Sequence, residues 1–172
     1  MIGRRDALPL AVLAGLPLLL WAALLVAGRS FFWGDLTYLH HPWRALAAGM
    51  LQAGTLPSWN PYAYSGMPFA AQMQGAVWYP GTLPFHLFGF ADALALFQAS
   101  HYALAGALAW LWLRKDGLSR PAAFGGAAAF MAGGFLVSRI QYLNHLSSLV
   151  YLPAFLLARD RPILLGTAFA LS

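Results

Sequence analysis

From Ala7 to Ala27 no charged side chain interrupts the chain. A helix needs about 20 mostly apolar residues to cross the ~30 Å hydrocarbon core of a bilayer. Within that core every backbone N–H and C=O must be paired inside the segment itself. A run of this length and composition is expected to be a membrane-spanning helix. A cleaved signal peptide would share the basic start at Arg4 and Arg5. The apolar run is long for one, however, and Val26-Ala27-Gly28 is a weak cleavage site, so an uncleaved first span is expected.

The rest of the sequence agrees. The chain is 60% hydrophobic and only 9% charged, where a soluble domain carries about 25% charged residues. It contains no Glu and one Lys, Lys115. Too few charges remain to write the polar faces of soluble amphipathic helices. The absence of Cys excludes disulfides, thiolate metal sites and a Cys nucleophile. The net charge of +5 is spread thinly and forms no patch or stripe, which argues against nucleic acid as a partner.

Further apolar segments cover about 92–113, ending at Arg114-Lys115-Asp116, then 121–138 and 141–158. A fifth, 162–172, is still apolar at Ser172. Gly125, Ala129 and Gly133 repeat one helical turn apart, a spacing that lets another helix approach closely. Pro153 lies inside the fourth segment, where neighbouring helices can satisfy the carbonyl it frees. Arg4, Arg5, Arg114, Lys115, Arg120, Arg159 and Arg161 would share one side of the membrane, with Arg29, Arg44 and Arg139 on the other. The basic majority marks the cytoplasm. The fold expected is an all-α multi-span helical bundle in the cytoplasmic membrane, with its N-terminus in the cytoplasm and the segment 28–91 outside.

That external segment is too long for a plain connection. It holds more than half of the aromatic residues, among them Trp33, Trp43, Trp59 and Trp78, which suit the headgroup region. Pro42 can open a helix in which Trp43, Leu46, Ala47, Met50 and Leu51 form one apolar face, with Gly54 as its stop. Such a helix would lie in the interface with Arg44 on its polar side. A second interfacial helix is expected near Phe69 to Val77. Between Phe31 and Phe90 the only Asp, Glu, Lys or Arg residues are Asp35 and Arg44. A lone carboxylate in such surroundings is costly unless something pairs with it. Either Asp35 caps a helical turn, or it is a base or metal ligand at the outer surface.

The chain carries an ordered set of motifs: Gly34-Asp35, Pro42-Trp43-Arg44, Gly54-Thr55-Leu56-Pro57-Ser58-Trp59-Asn60-Pro61-Tyr62, Gly66-Met67-Pro68, Gln74 and Tyr79-Pro80. Gly117-Leu118-Ser119-Arg120, Ser138-Arg139, Leu143-Asn144-His145-Leu146 and Leu152-Pro153 follow. Together these resemble the amino-terminal part of the bacterial YfhO-type membrane proteins, which belong among the GT-C-fold glycosyltransferases. The resemblance implies a GT-C-like bundle of more spans than this chain holds. It also implies sugar transfer, at the outer face, from a polyprenyl-phosphate carrier to a cell-envelope polymer or glycolipid. In such enzymes an acidic residue of the first external loop is essential, and Asp35 occupies that place as base or as ligand of a divalent cation, magnesium or manganese. Many GT-C loops carry paired acids; here Asp35 stands alone.

Other polar residues allow two readings each. Arg44 can bind the donor phosphate in bidentate fashion or snorkel into headgroups. Arg139, Gln141, Asn144 and His145 can complete a substrate site or form a hydrated turn. Trp59, Asn60 and Tyr62 can form a sugar platform, or lock a Pro-rich turn. His40 and His41, being adjacent, cannot easily serve one site together, and His86 and His101 read as satisfied core histidines. No phosphate-cradling Gly motif, His-Glu-x-x-His or Ser nucleophile motif occurs. The rival function is a transporter or flippase of a lipid-linked substrate, which predicts ionisable residues or broken helices at mid-membrane. A third reading is a fragment inactive by itself.

Overall fold

The computed structural model describes residues 4–160, so the expected fifth segment lies outside the described residues. Helix α1 covers Ala7–Val26, about 30 Å of helix. Pro17 sits inside it, where it cannot donate to the carbonyl of Leu13. A side-chain carbon at Gly106 of the next long helix would lie 3.6 Å from that carbonyl and 2.9 Å from Met131 Sδ. Glycine at this point lets the two backbones come together.

That next helix, α4 (Phe90–Lys115), is the centre of the molecule. It runs past the expected segment at both ends, and packs against α1, α5 (Arg120–Met131) and α8 (Leu152–Ala158). Its small residues Ala105 and Ala109 are buried, as are Ala123 and Ala127 on α5. The expected Gly125–Ala129–Gly133 contact is not made among the described residues. Gly125 and Ala129 are exposed, because Ala123, Ala127 and Met131 form the face turned to α4.

Three stretches are long and apolar enough to cross a membrane: Ala7–Val26, Phe90–Lys115 and Arg120–Ser138. The third is not one helix. It breaks after Met131 and resumes as α6 (Gly134–Ser138), the paired Gly133 and Gly134 offering no side chains to hold the turn. The expected 141–158 segment is likewise split, into α7 (Leu143–Leu149) and α8. Pro153 can neither bond the carbonyl of Leu149 nor pack beside it, so α7 ends there and α8 starts afresh.

Two polar ties cross the interior. Trp21 Nε1 donates to Gln98 Oε1 (2.9 Å), and Gln98 Nε2 donates to the Ile140 carbonyl (2.9 Å). Tyr102 Oη donates to the Leu136 carbonyl (2.8 Å). At one end of the bundle, Asp6 is buried between Arg120 Nε (3.0 Å) and Arg114 Nε (3.6 Å). Lys115 pairs with Asp160 (2.8 Å) and Arg159 with Asp116 (2.9 Å). The structure thus gathers Arg114, Lys115, Arg120 and Arg159 at one end.

The opposite end is covered by residues 28–89. Helical backbone starts at Leu36, ahead of the expected Pro42, with a wide π-type turn through His40 that continues as α2 (His41–Gln52). Pro42 explains the widening, since it cannot bond the Tyr38 carbonyl and its ring crowds it. Strands β1 (Trp59–Asn60) and β2 (Met67–Pro68) pair antiparallel. No helix forms near Phe69 to Val77. Met73 (φ 63°) and Ala76 (φ 43°) turn the chain there instead. A short α3 (Pro84–Leu87) then leads into α4.

Candidate functional site

Asp35 stands at the head of the π-type turn, but it does not cap it. Its backbone is already helical (φ −62°, ψ −22°), whereas a capping side chain needs an extended backbone to reach forward. The first free N–H groups are met elsewhere: Leu36 N donates to the Trp33 carbonyl (3.2 Å), and Thr37 N and Tyr38 N donate to that of Gly34 (3.0 and 3.2 Å). The half-buried carboxylate has no hydrogen bond or ion pair among the described residues. Gly34 (φ +53°) admits a distant neighbour. A side-chain carbon there would lie 2.5 Å from Gln141 Oε1, so glycine lets the α6–α7 turn reach this loop.

His40 closes the same junction. Buried at the end of the π-type turn, its Nε2 accepts from Leu143 N (3.3 Å) at the start of α7. Burial lowers its pKa to about 4, helped by the nearby charges of Arg44 and His145. His41 points away, exposed, with its ring 4.4 Å from that of Phe90.

Arg44 overturns its expected place on the polar side of α2, since it is only 2% exposed. The returning chain encloses it. Its Nη1 donates to the Gly75 carbonyl and its guanidinium carbon lies 5.5 Å from the Phe85 ring centre. Nε and Nη2 are buried without a hydrogen-bond partner among the described residues. Burial lowers its pKa to about 10, which leaves it charged at neutral pH. His86, also lowered by burial and by Arg44, has Nδ1 buried and unpartnered.

Asn144 extends the junction. Its Nδ2 donates to the Gln74 carbonyl (3.0 Å), while Oδ1 is buried without a partner. Consecutive carbonyls, Gln74 and Gly75, therefore tie α7 and α2 to one turn of the chain. Between that turn and α7 lies a cavity of about 320 Å³, lined by residues that include Gln74, Trp78, Asn144 and Ser147.

The other expected residues stand apart. The Arg139 guanidinium is spread over the rings of Phe135 (5.3 Å) and Tyr142 (5.6 Å). His145 is exposed beside Tyr142. Asn60 is buried and its Oδ1 accepts from Tyr62 N (2.9 Å), an Asx turn that fixes the hairpin. Trp59 is half exposed and lies on Gly66, where a side-chain carbon would sit 2.6 Å from its ring. Among the described residues no three His, Asp or Glu side chains gather, so Asp35 brings a single carboxylate to a cation site and the described residues do not complete one.

His101 is satisfied at both ring nitrogens, as expected, but through a polar chain whose tyrosines the sequence does not single out. Tyr151 Oη lies 3.3 Å from Tyr79 Oη, which lies 2.6 Å from His101 Nε2; His101 Nδ1 donates to the Phe97 carbonyl (2.6 Å). Burial and Tyr151 push the Tyr79 phenol well above its ordinary range. Gln98 is passed over in the same way. The available signal is a polar side chain inside an apolar segment, which marks an interhelical bond. The chain matches no protein-family model, no curated protein and no solved structure.

Proposed function

We propose that this chain is part of a membrane glycosyltransferase of the GT-C type, which moves a sugar from a polyprenyl-phosphate carrier to a cell-envelope acceptor at the outer face. The ordered motif set supports the reading, and the observation that carries it is Asp35. A carboxylate that neither caps its helix nor pairs with a cation is free to act as a base. In the proposed step an acceptor hydroxyl attacks the anomeric carbon while Asp35 takes its proton. The bond from that carbon to the carrier phosphate breaks, and the phosphate leaves with the electron pair. Arg44 keeps two N–H groups unmet, of the kind that bind phosphate oxygens, but both are buried, and a phosphate reaches them only if the chain around Gly75 moves aside.

The test is Asp35→Asn in the full-length protein, assayed for transfer from an undecaprenyl-phosphate hexose in membranes. Transfer falls by about 10²-fold or more, while membrane insertion is unchanged. Near-normal transfer would remove Asp35 from the mechanism.

The breaks between α5 and α6 and between α7 and α8 favour a second reading, a transporter or flippase of a lipid-linked substrate. On that reading the Asp35→Asn protein still moves the lipid across a vesicle membrane, and no new glycosidic bond forms with either protein.

A further inference from the structure

Residues 70–78 cross the outer end of the bundle between two anchors. Before them, Phe69 is fully buried, its ring 5.9 Å from that of Trp43 and its N–H on the Ser58 carbonyl (2.7 Å). After them, Tyr79 Oη is held 2.6 Å from His101 Nε2. Between the anchors Gly75 alone is buried. The backbone there forms only short turns, with Gln74 N donating to the Gln72 carbonyl (2.7 Å) and Ala76 N to that of Met73 (2.8 Å). Met73 and Ala76 flank Gly75 at φ 63° and 43°, where a β-carbon crowds its own backbone. Two side chains hold this strained segment down: Arg44 Nη1 donates to the Gly75 carbonyl, and Asn144 Nδ2 to that of Gln74 (3.0 Å). Met73, Gln74 and Ala76 line the cavity that separates the segment from α7.

What the segment covers is costly to cover. Arg44 is 2% exposed, and its Nε and Nη2 are buried without a hydrogen-bond partner among the described residues. A guanidinium shut away from water needs an opposite charge or a full set of acceptors. One neutral carbonyl supplies neither. An anion with several oxygens would meet the free N–H groups through charge-assisted bonds, which are roughly twice as strong as neutral ones. A ligand shifts a conformational equilibrium by the difference in its affinity for the two states. A phosphate touches Arg44 only when the covering carbonyl is gone, so it binds the uncovered state and draws the equilibrium toward it. We infer that residues 70–78 are a strap, which lifts off Arg44, releasing the Gly75 and Gln74 carbonyls, to admit a phosphate group onto the guanidinium. That this phosphate belongs to a lipid carrier rests on the glycosyltransferase reading; the lifting of the strap does not.

Phenylglyoxal, which condenses with accessible guanidinium groups, reads the opening on the full-length protein in lipid nanodiscs. Peptide mass spectrometry follows each arginine separately, with exposed Arg29 as the reference. Arg44 reacts about 10-fold or more slowly than Arg29, because it reacts only through local opening. Asn144→Ala removes a tie worth one neutral hydrogen bond and speeds the reaction of Arg44 about 5-fold. The pair Met73→Gly and Ala76→Gly relieves the left-handed strain of the closed strap and slows it about 5-fold. Undecaprenyl phosphate protects Arg44 and spares Arg29, while undecaprenol protects neither. Methyl phosphate, added from solution, identifies the source. Protection by it as well marks a site for any phosphate, and protection by the lipid alone marks a site that takes its phosphate from the membrane; both support the strap.

Wild-type Arg44 as reactive as Arg29, no gain in folded Asn144→Ala protein, or no protection by either phosphate would overturn it. If melting curves show that Asn144→Ala unfolds, the glycine pair decides, and an unchanged Arg44 rate there overturns the strap. Sugar transfer is scored separately. Transfer without phosphate protection of Arg44 ends the strap alone, and protection without transfer ends the glycosyltransferase reading alone.

Discussion

Asp35 and Arg44 belong to one continuous helical run, yet they meet opposite surroundings. Asp35 lies half open at its head, and Arg44 is enclosed by Gly75 and Phe85. Both stand out in the sequence, because they are the only charges in a long aromatic segment. The burial of Arg44 is not legible there, since its acceptor lies 31 residues further on. Local periodicity assigns a face to a side chain but cannot see which distant chain will cover it. His40 gives this junction a pH dependence. The folded protein holds its pKa at about 4, against 6.5 for the free side chain. Between those values the unfolded chain takes up a proton that the folded one excludes. The contribution of His40 is therefore fully present above pH 6.5, falls as the pH drops through the window, and is flat below about 4. At pH 5 the loss relative to pH 7 is about 2 kcal/mol. His86 shifts in the same direction, so the readout is the difference between wild type and His40→Gln in unfolding free energy across pH 4–7. A wild-type curve parallel to that of His40→Gln would show that His40 is not buried in its neutral form.

At the scale of elements, the long apolar runs are legible and their continuity is not. Composition alone locates α1 and α4 to within a few residues, because a charge-free run or a basic stop bounds each. It reads α5 with α6, and α7 with α8, as single helices, although Gly133-Gly134 and Pro153 mark the breaks in plain view. Apolarity measures the affinity of a segment for lipid and is indifferent to where its hydrogen-bond ladder is interrupted. Gln98 binds the broken elements to the rest, since it accepts from Trp21 on α1 and donates to Ile140 in the turn after α6. Interhelical bonds of this kind contribute roughly 0.6 kcal/mol on average, up to about 1.7. Gln98→Leu, which loses both bonds, is expected to cost about 1–2 kcal/mol in detergent-induced unfolding. Trp21→Phe loses one of the same bonds, and the double variant should cost less than the two single costs added together. Strict additivity would show that the two side chains do not interact.

Over the whole molecule the charge distribution and the packing agree on a polarity. Asp6 joins the start of α1 to Arg114 and Arg120, and the pairs Lys115–Asp160 and Arg159–Asp116 bring the end of α8 to the same level. Arg29, Arg44 and Arg139 all belong to the opposite end, where residues 28–89 fold over the helix tips. The assignment of these charges to two groups is legible in the sequence because each lies next to an apolar run. The junction of Gly34, His40 and Arg44 with Gln141, Leu143 and Asn144 is not, since it depends on how four helix ends converge. An excess of Lys and Arg is retained on the cytoplasmic side during insertion, so the ion-paired end is expected to face the cytoplasm. The chain has no cysteine of its own, which makes single introduced thiols unambiguous reporters. Ser58, exposed ahead of β1, and Ala122, exposed in the first turn of α5, lie at the two ends. In intact cells a membrane-impermeant maleimide should label Ser58→Cys and spare Ala122→Cys, which becomes reactive only once the membrane is opened. The reverse pattern would turn the molecule over. Asp35 and the cavity beside Asn144 would then face the cytoplasm, out of reach of an acceptor in the cell envelope, and the proposed transfer could not take place there.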